Sequence, residues 1–190
     1  MALVSPAAGA FESKPIQFAQ TDNLVFSPSL LSRNINCQLP QGYAIRPLSI
    51  HDYDHGFIQT LSQLSTTGDL TKVAFQEMYQ YMKGHNDTYF PIVVVEASTE
   101  NIVGEVSGEV FLERKFLHSC GKAAHIEDIV VNSSMRGKSL GKYIIEQLKH
   151  IAKETGCYKV ILDCAQHNVG FYEKTGFTIK GNQMAYYFDH

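Results

Sequence analysis

The chain has 190 residues, of which 44% are apolar, 11% aromatic and 18% charged, and its formal net charge is -3. This suits one folded domain with a sizeable core, and excludes both a disordered chain and a polybasic nucleic-acid binder. No run approaches the roughly 20 apolar residues of a membrane-spanning helix. The first ten residues lack a basic segment ahead of their apolar patch, so a cytoplasmic address without membrane or nucleic-acid partners is expected. Cys37, Cys120, Cys157 and Cys164 form no CxxC pair and no zinc-like spacing, which predicts reduced thiols. His51 and His55, with Asp52 and Asp54 between them, stand at a metal-binding interval, but no third ligand follows at a recognisable spacing. They read as the polar first turn of a helix, and no metal is expected.

In chain order, residues 1 to about 40 hold Pro6, Pro15, Pro28 and Pro40 without a sustained period, and read as an irregular N-terminal extension. The domain proper is expected over 41–190. A short strand at Tyr43–Arg46, broken by Pro47, leads to a helix from about Ile50 to Leu64. After a loop at 65–68, a second helix runs from about Lys72 to Met82 and is closed by Gly84. Ile92–Ala97 and Ile102–Leu112 read as an antiparallel hairpin, and His125–Val131 as another strand. Leu140, Tyr143, Ile144, Leu148, Ile151 and Ala152 then recur on one face of an amphipathic helix that Gly156 ends. Tyr158–Asp163 completes a strand, helix, strand unit of the βαβ kind. A short helix near Asn168–Thr175, a stop at Gly176 and two strands turning at Gly181-Asn182 finish an α/β chain.

The strongest local signal is Ile129 to Gly141, where a strand runs through a glycine-containing turn directly into a helix. Such a turn aims backbone N–H groups from the positive end of the helix dipole, which suits a phosphate. Gly137 and Gly141 permit close approach, and Arg136 and Lys138 add charge. The same stretch, Asn132 to Ser139, misses the GxxxxGK[ST] phosphate loop by its first glycine, and Val160–Asp163 resembles the acidic strand that serves a magnesium ion. Phosphoryl transfer is therefore a competing reading. Against it stand Asn132, which carries a Cβ where close approach is needed, and the antiparallel hairpin ahead of the loop.

In Arg136-Gly-Lys-Ser-Leu-Gly141 the loop resembles the [Q/R]-x-x-G-x-[G/A] pattern of the GNAT superfamily of N-acetyltransferases, with Ser139 in place of the first glycine. Leu112–Cys120, His125–Val131, Gly156–Cys164 and Asn168–Lys174 follow the order and spacing of one branch, the glucosamine 6-phosphate N-acetyltransferases, over about residues 40–190. The resemblance implies the acyl-CoA N-acyltransferase fold, a mixed, mostly antiparallel sheet flanked by helices. It implies a homodimer in which the C-terminal strand is exchanged and helps build the neighbour's site. It also implies acetyl transfer from acetyl-CoA to the 2-amino group of D-glucosamine 6-phosphate, a step toward UDP-N-acetylglucosamine.

The same resemblance assigns residues. The backbone of Arg136, Gly137, Lys138, Ser139, Leu140, Gly141 and Lys142 holds the pyrophosphate, and Ile129, Val130 and Val131 pair with the pantetheine arm. Asn168, Tyr172 and Lys174 contact the cofactor, and the Tyr172 phenol stands near the thioester sulfur to protonate the departing thiolate. Glu127 and Asp163 lie near the amine, with the choice of general base open. Ser65, Thr66, Lys115, Phe116, Leu117, His118, Asp128, Tyr158 and Lys159 complete the substrate-binding candidates. Strand alternation puts Glu127 on a face with His125 and Ile129, and Asp128 on the other with Ile126 and Val130. The chain ends at Ala185–His190 without the basic tail of several members, so Tyr187 or His190 stands in at the phosphate. Three readings stay open here: this enzyme or one for another small amine, a phosphoryl-transfer enzyme, and a non-catalytic acyl-CoA-binding module.

Overall fold

The computed structural model describes residues 21–98, 102–131 and 137–188, with the backbone alone for 103–106. Five strands form one sheet in the order β1-β2-β3-β4-β5, namely β1 (Tyr43–Pro47), β2 (Tyr89–Glu96), β3 (Ile102–Arg114), β4 (Lys122–Val131) and β5 (Cys157–Leu162). The first three junctions are antiparallel, and β4 and β5 are parallel, as their connection through a helix requires. A sheet with a single parallel junction is not the largely parallel sheet that carries a nucleotidase phosphate loop, which removes the structural basis of phosphoryl transfer. Pro47 closes β1 at the sheet's edge, where a missing N–H costs no ladder bond.

One face of the sheet is covered by α5 (Leu140–Glu154), which buries Leu140, Ile144, Ile145, Leu148, Ile151 and Ala152 and ends just before Gly156, whose φ is 81°. Full burial of a side chain of this kind stabilises by about 1.5–3 kcal/mol, so this stripe holds the βαβ unit together. The other face carries α2 (Phe57–Leu61) and α3 (Lys72–Gly84). Residues 21–40 strap the domain: α1 (Arg33–Asn36) packs beside α5, and Val25, Phe26, Leu31 and Leu39 enter the main core. Two side chains tie this strap down. Asn36 bonds both the N–H and the C=O of Ile45, at 2.8 and 3.0 Å, and the fully buried Gln147 does the same to Ser32, at 3.0 and 3.1 Å.

Two expectations are corrected. The helix expected over 50–64 is only α2, preceded by turns, because the buried Asp52 carboxylate takes the Ser49 N–H at 2.7 Å and two Arg46 bonds at 2.8 and 2.7 Å. Gly56 then breaks the path with a φ of 95°. The two C-terminal strands are absent: after a 3-10 turn at Gln166–Asn168 and α6 (Val169–Glu173), residues 177–188 belong to no strand. This tail exposes Met184, Tyr186, Tyr187 and Phe188. Among the described residues no helix is long and apolar enough to cross a membrane.

Candidate active site

The site begins at a bulge. Ser107 pairs with Val130 and Glu109 with Glu127, so two residues of β4, Asp128 and Ile129, oppose the single residue Gly108. Asp128 adopts a left-handed φ of 51°. The extra residue reverses the alternation, which corrects the expected facing of these carboxylates. Ile129 turns toward α5, since a Cβ on Gly108 would lie 2.4 Å from its Cδ1 and 3.0 Å from Ile144 Cγ2. Glu127 therefore parts from Ile129, and Asp128 joins Glu127 in crowding Glu109.

Just ahead of the bulge, β4 parts from β5. The β4–β5 ladder ends at Ile126 and Leu162, while β4 continues to Val131, so Glu127–Val131 present a strand edge that β5 does not cover. This edge leads toward the start of α5. There Gly137 (φ 85°) and Ser139 (φ 59°) are both left-handed, and Ser139 occupies the N-cap without making a side-chain capping bond. The first-turn N–H groups of Leu140, Gly141 and Lys142 have no partner within the helix. Glycine at 141 is required by approach, because a Cβ there would lie 2.9 Å from Val131 Cγ2 and 3.4 Å from the Phe171 ring. The Lys138 ammonium reaches across to β1, donating to the Tyr43 hydroxyl at 2.8 Å and lying 5.1 Å from the centre of its ring. Arg136 lies outside the described residues.

Carboxylates line the opening. Ile126 pairs with Leu162, so Glu127 and Asp163 follow at neighbouring positions on the two diverging strands. Burial, then Asp163 and Asp128, raise the Glu127 carboxyl above its ordinary range. Glu109 is pushed up to about 7 by burial, then by Asp128 and Glu127. Asp163 accepts a bond from Gln183 Nε2 at 3.0 Å. Glu109 escaped the sequence reading, since only the cross-strand register brings it to Glu127.

Tyr172, on α6, is partly buried, with ring centres 5.0 Å from Phe171 and 6.1 Å from Phe177 in edge-on contacts. Burial, with Cys164 adding to it, raises its phenol, which keeps the group protonated at neutral pH. Through Phe171, α6 abuts the start of α5, so Tyr172 belongs to the same neighbourhood as the loop. Asn168 makes no capping bond with its side chain, and Lys174 is exposed at the end of α6.

The remaining candidates sit elsewhere in the chain. Lys115 donates to Glu113 at 2.6 Å, and the exposed Phe116 and Leu117 lead into α4 (Leu117–Cys120), where His118 is left-handed and its ring centre lies 4.0 Å from that of Tyr158. Lys159 Nζ lies 5.7 Å from the same ring centre. These groups gather where β4 and β5 begin, and the five-residue step from Tyr158 to Asp163 corresponds to about 16 Å of strand. The chain does not by itself bring them to Glu127 and Asp163. Ser65 and Thr66 are exposed on the loop after α2. Asp52 is committed to Arg46, and His51 Nε2 is bonded to Asn23 at 3.1 Å. Among the described residues no group of three or more His, Cys, Asp or Glu side chains is arranged to hold a metal.

The sequence and the fold are both similar to those of known proteins. The acetyltransferase (GNAT) family model matches residues 56–177, and the chain belongs to that family. Within it, the chain is 50% identical over 146 residues to glucosamine 6-phosphate N-acetyltransferase 1 of Dictyostelium discoideum, covering 77% of this chain and 91% of that one. It is 44% identical to the glucosamine 6-phosphate N-acetyltransferase of Candida albicans, covering 77% and 96%. The crystal structure of glucosamine-6-phosphate N-acetyltransferase from Arabidopsis thaliana superimposes with a TM-score of 0.74 at 45% identity, over 77% of this chain and 99% of that one.

Proposed function

We propose that this chain transfers the acetyl group of acetyl-CoA to the 2-amino group of D-glucosamine 6-phosphate. The observation that carries this reading is the similarity to enzymes of that name at 44–50% identity over more than nine-tenths of their length. The site fits the donor: an uncovered β4 edge from Glu127 to Val131 suits an extended arm, and the open N–H groups of α5 suit its pyrophosphate. Bound there, acetyl-CoA supplies the thioester that the amine attacks.

The chain's own residues then meet four demands. Leu140, Gly141 and Lys142 anchor the anion through backbone N–H groups, and the β4 edge holds the thioester carbonyl against strand N–H groups, where negative charge develops. Glu127 and Asp163 bind and orient the amine. Tyr172 holds a proton for the departing sulfur, a role that suits a phenol kept protonated by burial.

The reading includes a homodimer. Edge strand β5 exposes Tyr158 and Ile161, and the tail exposes Met184, Tyr186, Tyr187 and Phe188, a surface that a second copy would cover. A partner would also bring Lys115, His118, Tyr158 and Lys159 to the phosphate of the substrate. The product feeds synthesis of UDP-N-acetylglucosamine in the cytoplasm, an address that suits the free thiols of Cys37, Cys120, Cys157 and Cys164. Mass spectrometry of the reaction mixture tests the assignment: it predicts mono-acetylated amino sugar phosphate formed one-for-one with CoA. Recovery of unmodified sugar phosphate from a mixture whose acetyl-CoA remains intact would contradict it.

A further inference from the structure

Building on that acetyl-transfer reading, we propose that Glu109 takes up the proton that the acceptor's ammonium group must lose, at a polar pocket end it shares with Ser107 and Asp128. A cavity of about 620 Å³ separates β3 and β4 from α2 and α3. Leu48, Phe57, Leu61, Phe75, Met78 and Met82 give it apolar walls, and Ser107, Glu109 and Asp128 line it where the bulge lies. Ser107 is 2% exposed and its Oγ has no hydrogen-bond partner. A buried hydroxyl left unbonded is unusual, and Ser107 lines the cavity that Glu109 also lines.

The neighbours of Glu109 define what it serves. Its register partner is Glu127, and Asp128 adjoins it through the bulge, so Glu109 interacts with one of the two carboxylates that orient the amine. From α3 the cavity receives Glu77, Tyr79 and Tyr81, and on β2 the Tyr89 phenol is raised chiefly by Tyr81, with Glu109 adding least. The charged residues lining the cavity are all acidic, which favours an ammonium or a proton over an anion. An amine flanked by electron-withdrawing groups, with a pKa of about 8 like that of an α-amino group, is largely protonated at pH 7 and attacks only when neutral. The proton leaves nitrogen, Glu109 changes from carboxylate to carboxylic acid, and the lone pair so freed forms the new C–N bond as the thioester C–S bond breaks and the departing thiolate takes its proton from Tyr172. The Glu109 carboxyl, raised to about 7, changes state in the range where such an amine does.

The test compares kcat of the full-length wild type, Glu109→Gln and Glu109→Asp at saturating acetyl-CoA and glucosamine 6-phosphate between about pH 5.5 and about pH 9. The acceptor's own titration sets the upper end of the window, since an amine that arrives neutral has no proton to give. The expected ratio for Glu109→Gln is about tenfold near pH 7.5, where Glu109 is ionised and much of the acceptor still carries its proton, falling to within about twofold below pH 6, with Glu109→Asp keeping the rise. A ratio that does not change with pH, or that stays within twofold throughout, overturns the role. If Glu109→Gln fails to fold by circular dichroism, Ser107→Ala decides: a loss of about threefold or more at pH 8 is expected, and an unchanged kcat overturns it. Wild-type turnover is read first. Its absence overturns the assigned reaction and this role with it, whereas turnover with a flat ratio overturns the role of Glu109 alone.

Discussion

Glu109→Gln gives a stability prediction that is independent of catalysis. The folded-state carboxyl is raised from 4.5 to about 7, by burial first and then by Asp128 and Glu127. The folded protein therefore binds this proton more tightly than the unfolded chain does. The stability this contributes is present in full below the unfolded value and is lost as pH rises through about 7. Each pH unit is worth about 1.4 kcal/mol, so the ionised side chain destabilises the fold at pH 8 by about 3 kcal/mol. Gln keeps the shape and removes the charge. The variant should match the wild type near pH 4.5 and exceed it by up to about 3 kcal/mol at pH 8, or roughly 2–4 °C in Tm per kcal/mol for a chain of this size. Urea unfolding at a fixed protein concentration across this pH range measures the difference. A stability gap independent of pH, or a Gln variant weaker than the wild type at pH 8, would refute the claim that Glu109 is held among like charges.

Other perturbations test separate parts of the structure. Asp52→Ala leaves Arg46, 2% exposed, buried without its carboxylate, and should lower stability by about 3–5 kcal/mol in a denaturant titration; a loss below about 1 kcal/mol would show that the pair is dispensable. Gly141→Ala places a Cβ 2.9 Å from Val131 Cγ2 and should raise the KM for acetyl-CoA about tenfold, whereas Lys138→Ala, whose ammonium is turned toward Tyr43, should change it less than about threefold; the reverse order would contradict the assigned donor site. Tyr172→Phe keeps the ring contacts to Phe171 and Phe177 and should cut kcat by about a hundredfold with little effect on acetyl-CoA binding; an unchanged kcat would remove the phenol from the reaction.

The βαβ unit was legible because its signals are local: a β-branched strand, a glycine turn, a 3.6-residue stripe and a closing glycine. The hairpin of β2 and β3 was legible for the same reason. The bulge was not, since Ile126 to Val131 reads as one unbroken strand and the reversal comes from Asp128 taking a positive φ against Gly108. With it went the facing of Glu127 and Asp128 and the place of Glu109, which depend on register between strands. The helix from Ile50 was overread because Asp52 is bonded by Arg46 and Ser49, a contact between segments that no periodicity carries. The tail from Phe177 has strand-like composition, but composition does not choose a partner, and no described strand pairs with it although β5 stands at the sheet's edge.

The central claim is tested most directly by the initial rate of acetyl-CoA-dependent thiol release from the purified protein. Glucosamine 6-phosphate, unphosphorylated glucosamine and no amine are compared at equal concentration. The account predicts rapid release with the phosphorylated sugar and rates near background in the other two. Equal background rates in all three, from a protein that still binds acetyl-CoA, would contradict it.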